Sequence, residues 1–178
     1  MRKYIILTLI LGLFLLAFRP VPWLTVSSHN SNIIEHTFNN RLFVQLPQST
    51  KVIENHFSDK GQLSYGVYLN DEDLLFRGYI QLWQLPELEK FLINSRRIST
   101  FDFKSYSLEP IVIGNHDGFI NEWAASFGDI YNISGKEYWL KKADSPEVLR
   151  ISFFTDATSF SEEQLQQVDK TVGSIRWN

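Results

Sequence analysis

Few residues in this chain have both the type and the spacing for chemistry, and the most suggestive are Gly114-Asn115-His116-Asp117-Gly118. In a dinuclear metal-dependent phosphoesterase, a Gly-Asn-His-Asp run supplies an asparagine ligand and a histidine beside the scissile phosphate. Two metals need more ligands than that: an Asp-x-His upstream, a Gly-Asp between, and histidines downstream. This sequence has no Asp-x-His, its Gly128-Asp129 follows the run instead of preceding it, and no histidine follows His116. The run therefore reads as a reversal between two strands. Asn115 and Asp117 bond locally to the backbone, and Gly118 supplies the left-handed φ that closes a four- or five-residue hairpin loop. His116 is left exposed, with no partner required of it.

Other groupings are sparser. His29, His36, His56 and His116 share no metal-ligand spacing. Cysteine is absent, which excludes thiolate zinc sites, redox pairs, cysteine nucleophiles and disulfides. Asp71-Glu72-Asp73 forms a D-x-D in a loop too short for an EF-hand and without its glycine and terminal glutamate. It reads as a solvated turn, with weak cation binding as the alternative. There is no Gly-x-Ser-x-Gly elbow and no phosphate-binding glycine loop. The expectation is a protein with no catalytic residues, metal or cofactor. The alternative is a hydrolase that assembles Ser, His and Asp from distant segments, with His56 or His116 beside a carboxylate in a pocket.

The elements that would position any site begin after an apolar N-terminus. Arg2 and Lys3 precede a run without charge from Tyr4 to Phe18, followed by Arg19 and a Pro-Val-Pro-Trp segment. This is a secretory signal or signal anchor, expected to occupy residues 1–28. The side chains assigned to the membrane are Tyr4, Ile5, Ile6, Leu7, Leu9, Ile10, Leu11, Leu13, Phe14, Leu15, Leu16 and Phe18, with Trp23 at headgroup depth. No A-x-A site precedes a cleavage point, which favours an uncleaved single-pass anchor; cleavage would release a secreted domain. The charge at the front places the N-terminus in the cytoplasm and the domain outside.

Residues 29–178 are read as a single domain of the α+β class, with a mainly antiparallel sheet packed by helices. The chain carries a formal charge of −3, and without Arg2, Lys3 and Arg19 the remainder carries −6, a poor match for nucleic acid or anionic lipid. Alternation puts Leu42, Val44 and Leu46 on one face of a strand, and Leu63, Tyr65, Val67 and Leu69 on one face of another. Across Asn70 to Asp73 a hairpin partner follows, with Leu74, Phe76, Ile80 and Leu82 inward. A short helix starting at Pro86 carries Leu88, Phe91 and Leu92. Two long strands flank Gly114–Gly118, with Phe119, Trp123, Ala125 and Phe127 on one face of the second. Two more strands, "KEYWLKKA" and "EVLRISFFT", join across Asp144-Ser145-Pro146. Ser161 and Gln164 form a capping box, Phe160 staples onto Leu165, and Leu165, Val168, Val172 and Ile175 line the final helix.

From "FNNRLFVQLPQST" through "EYWLKKADSPEVLRISFFTDATSFSEEQLQQVDKTVGSIRW", this order of elements resembles the PsbP-like α/β/α sandwich family. The family includes photosystem II extrinsic proteins, Mog-type proteins and bacterial envelope proteins. The resemblance implies a non-catalytic binding or assembly module, here tethered outside the membrane and docked onto an envelope protein or complex. A second possibility is a small-ligand binder. The chain has five tryptophans and 15% aromatic residues, enough to line a cavity between helix and sheet.

Overall fold

The computed structural model describes residues 32–57, 61–128 and 131–178. The expected anchor, residues 4–18 with Trp23, lies outside the described residues, as does His29. No helix among the described residues is long and apolar enough to cross a membrane.

Among the described residues, ten strands and two helices follow in the order β1 (Ile33–Phe38), β2 (Leu42–Pro47), β3 (Lys51–His56), β4 (Leu63–Asp71), β5 (Phe76–Gln84), α1 (Leu88–Ile98), β6 (Asp102–Ile113), β7 (His116–Phe127), β8 (Tyr131–Lys141), β9 (Glu147–Thr155), α2 (Glu162–Gly173) and β10 (Arg176–Trp177). Seven strands form one antiparallel sheet in the order β3-β4-β5-β9-β8-β7-β6, and β1-β2-β10 form a small second sheet. The fold is mostly antiparallel sheet with two helices, as the alternation predicts.

Strand parity decides what each face of the large sheet covers, because successive side chains point to opposite sides. Ile80, Leu82, Tyr138, Leu140, Leu149, Ile151 and Phe153 pack with Leu42, Val44 and Leu46 of the small sheet and with Val168 and Val172 of α2 in the main core. The opposite face carries Trp139 and Val148, which pack with Leu88 and Leu92 of α1. Helix α1 is the link between β5, inside the sheet, and β6, at its far edge. It therefore lies on the face that becomes the candidate site.

Helix α2 is capped as expected. The Gln164 N–H donates to Ser161 Oγ at 3.2 Å, and the Ser161 N–H donates to Gln164 Oε1 at 2.8 Å. Its buried face is rotated from the apolar stripe, however. Gln164, Gln167 and Thr171 are buried with Val168 and Val172, while Leu165 is half-buried and Ile175 falls beyond the helix end. Polar burial is stable here because the amide of Gln164 also donates to the carbonyls of Leu74 and Leu75, tying the helix start to the β4–β5 turn.

The reversal near residue 114 is tighter than expected and sits elsewhere. Gly114 and Asn115 alone form the turn, and Ile113 pairs with His116. Gly114, at φ 60°, takes the left-handed position that a two-residue hairpin demands. Gly118 is inside β7, where a Cβ would lie 1.9 Å from the Trp139 carbonyl oxygen, so it is required by strand approach and not by φ. The β4–β5 hairpin shows a similar shift: Leu74 and Leu75 belong to the turn, and the strand starts at Phe76.

Candidate functional site

The α1-facing side of the sheet has a polar row among aromatic ones. Asn121 of β7 pairs with Glu137 of β8, and Trp139, two residues on, pairs with Arg150 of β9, which in turn pairs with Gln81 of β5. Glu137 and Arg150 are thus diagonal neighbours on one face, close enough for long side chains to meet. The Arg150 Nε–H donates to Glu137 Oε2 at 2.9 Å, and its Nη1 donates to Gln81 Oε1 at 2.8 Å. Trp123 Nε1–H donates to Glu137 Oε1 at 2.7 Å. Both charges are largely buried, and each is matched by the other and by further hydrogen bonds, the condition under which a buried pair is tolerated.

Gly135 explains how Trp123 reaches that carboxylate. It sits opposite Trp123 in the register, and a Cβ there would lie 2.3 Å from the indole ring. The missing side chain lets the indole lie across the β8 backbone with its N–H over Glu137. Trp123 packs with Ala125 and Ile133, and Phe103, Tyr106 and Phe154 close around them.

Helix α1 does not fill the space above this floor. Phe91 and Leu92 reach down to Trp83 and Trp139, with ring centroids 5.8 Å apart for both Phe91–Trp83 and Phe91–Trp139. Further along the helix the facing residues are Ser95 and Ser99, too small to complete the layer. What remains is a cavity of about 240 Å³ walled by Trp83, Phe91, Leu92, Ser95, Arg96, Ser99, Phe101, Phe103, Tyr106, Asn121, Trp123, Glu137, Trp139 and Arg150. Arg150 stacks over the Trp139 ring at 5.0 Å, and Arg96 over Tyr106 at 4.4 Å. Burial and the nearby Glu137 push the Tyr106 phenol above its ordinary value, with Arg96 acting the other way. At the rim, Phe101, Phe127 and Tyr131 are exposed and in edge or tilted contact at 5.0 and 5.9 Å.

Two polar atoms of this wall are unsatisfied. Asn121 Oδ1 and Trp139 Nε1 are buried and have no hydrogen-bond partner among the described residues. A buried acceptor or donor left unpaired costs on the order of 1–3 kcal/mol; neither atom has surface open to the cavity, and Trp177 Nε1, outside its lining, is a third of the same kind.

The residues singled out by sequence lie away from the cavity. His116 is half-buried against Trp177, with ring centroids 5.2 Å apart, and its Nδ1 is 3.2 Å from the Lys141 carbonyl, not from a carboxylate. The expectation that it stands free in a loop is therefore corrected. His36 stacks on Phe38 and His56 lies against Tyr65. Asp71 is not a solvated turn residue. It is 1% exposed, and its carboxylate accepts from the hydroxyls of Ser49 and Thr50 and from the N–H groups of Asp73 and Leu74. Glu72 pairs with Lys51, and no cluster of potential metal ligands occurs among the described residues.

The Glu137–Arg150 pair is the feature that sequence reasoning missed. Its signal was a lone Arg150 in "EVLRISFF" and a lone Glu137 before "YWL", on two strands joined by one hairpin.

No family model matches the chain, and no curated protein sequence matches it. Among solved structures, the solution structure of cyanobacterial PsbP (CyanoP) from Synechocystis sp. PCC 6803 is similar, with a TM-score of 0.51 and 8% sequence identity over 83% of this chain and 94% of that one. The chain has a PsbP-like fold.

Proposed function

We propose that this protein is a non-catalytic binding module that holds a small ring-bearing ligand in the cavity between α1 and the sheet. The observation that carries this reading is an open space walled by Trp83, Phe91, Phe103, Trp123 and Trp139 above the Glu137–Arg150 pair. Aromatic walls with a few placed polar groups are the usual make-up of small-molecule sites. The test is thermal melting of the full-length chain with aromatic ring compounds. A ligand at about a hundred times its Kd adds roughly 2.7 kcal/mol of stability. Ser95→Phe, which fills the space from the helix side, should abolish that gain without lowering the melting temperature of the unliganded chain.

A second reading, docking onto an envelope protein, draws support from the exposed rim of Phe101, Phe127 and Tyr131. Aromatic residues are favoured where partners meet. A photo-crosslinker at position 127 should then capture a specific protein in intact cells, whereas one at Ile53, on the opposite edge of the sheet, should not.

The tether assigned to residues 4–18 would hold the module at the outer membrane face, in the α/β/α arrangement expected for the family. The apolar run behind Arg2 and Lys3 supports this. Recovery of the full-length mass in the membrane fraction is the expected result. A mature N-terminus at His29 would make the protein secreted.

A further inference from the structure

Building on the cavity reading above, we infer that the ligand carries an anionic group beside its ring, and that Arg96 holds this group on the solvent side of the cavity, between α1 and β6. Arg41, Arg77, Arg150 and Arg176 each pair with a carboxylate. Arg96 and Arg97, in the last turn of α1, have no carboxylate partner among the described residues. Arg96 and Tyr106 line the cavity, and with Arg97 and Leu108 they also line an adjoining groove.

The position of Arg96 keeps its hydrogen-bonding capacity unspent. Its guanidinium lies 4.4 Å from the Tyr106 ring centroid, a stacking contact that uses the face of the group and leaves the N–H donors in its plane for another partner. Ser95 and Ser99 stand in the same wall. Ser99 Oγ accepts from the Phe101 N–H at 3.2 Å, which leaves its own O–H to donate. A helix C-terminus favours cations, and this accounts for two arginines in the last turn. It does not account for a guanidinium seated on a ring at the edge of a cavity with its donors unpaired.

Charge balance points the same way. Both oxygens of Glu137 are engaged by Trp123 and Arg150, so the floor is internally neutral. Arg96 is then the unmatched charge of the wall, in a chain that is formally −3. A cationic ligand would be repelled by Arg96, and an uncharged one would leave its donors to water. An anion held beside Arg96 stays on the solvent side and escapes the cost of full burial, while the ring packs inward on Trp123 and Trp139. Because Arg96 is exposed, solvent screens the attraction, and the expected gain is that of a surface pair, about two- to fivefold in affinity.

The test uses the full-length chain in nanodiscs of zwitterionic lipid, with protein-free nanodiscs as the partition control. Affinities come from titrating the Trp123 and Trp139 indole N–H signals in a nitrogen–proton correlation spectrum, each signal identified by its loss in the corresponding Trp→Phe variant. Three probes share a ring and differ in the charge of the side arm: indole-3-propionate, its uncharged amide and tryptamine. The propionate should bind about two- to fivefold more tightly than the amide at low salt, and tryptamine should bind most weakly. That preference should shrink toward unity at about 1 M salt and in Arg96→Gln, while the amide's affinity stays within about twofold in that variant. Equal or tighter binding of the amide or of tryptamine, or a preference for the propionate that Arg96→Gln leaves intact, overturns the inference and leaves the cavity reading standing. No movement of either tryptophan signal with any probe overturns both.

Discussion

Removing the Glu137 carboxylate is the sharpest perturbation of the site floor. Glu137 is 6% exposed, and its two oxygens hold Trp123 and Arg150. In Glu137→Ala the guanidinium keeps only Gln81 and the face of Trp139, and the Trp123 N–H loses its acceptor. Breaking a buried pair from one side costs about 3–5 kcal/mol, a large part of the roughly 5–15 kcal/mol that holds a domain folded. At this chain length about 1 kcal/mol moves the melting temperature by ~2–4 °C, so the expected drop is about 6–20 °C. The double change Glu137→Leu with Arg150→Met removes both charges and should recover most of the loss, because an apolar replacement of a buried pair is near neutral. Urea melts of wild type, Glu137→Leu, Arg150→Met and the double variant give the coupling energy directly. Additive losses below about 1 kcal/mol for each single variant would refute the reasoning, because they would show a hydrated pair that does not shape the cavity.

Gly135→Ala should cost about 1–3 kcal/mol by displacing the Trp123 ring, visible in urea melts together with a change in tryptophan emission. Asp71→Ala should cost at least ~2 kcal/mol, since two hydroxyls and two backbone N–H groups lose their acceptor, whereas Asp73→Ala should be neutral. Calcium should leave the melting temperature of either unchanged. Ser161→Ala should lose ~1 kcal/mol through the cap, and Val168→Ala should cost more than Leu165→Ala because Val168 is wholly buried and Leu165 is not; chemical denaturation ranks them. His116→Ala should lose ~1 kcal/mol of packing against Trp177 in the same melts, and manganese should elicit no phosphodiesterase turnover from wild type that this change removes.

Period-two alternation was enough to read β2, β4 and β5, because one face of each is buried in a continuous core: Leu42, Val44 and Leu46 fall where parity puts them, whereas β3, exposed along almost its whole length, carries no such signal. The Ser161–Gln164 capping box was equally legible, since a cap is a local contact between residues three apart. Turn positions were less so. Gly114 and Gly118 are both glycines, and only the register against β8 distinguishes the one that needs a left-handed φ from the one that meets a neighbouring carbonyl. Asp71 looked solvated because its satisfying hydroxyls, on Ser49 and Thr50, come from about twenty residues away. The cavity was legible only as a surplus of aromatic residues. Its walls come from β5, α1, β6, β7, β8 and β9, and its volume depends on Ser95 and Ser99 falling where α1 would otherwise have filled the layer.

The central claim is that the space between α1 and the sheet is a ligand site, and a crystal structure of the protein soaked with indole tests it most directly. Ring density is expected between α1 and the sheet, in contact with the rings of Phe91, Trp123 and Trp139. A cavity closed by repacked side chains, with no ring between the layers, would contradict it.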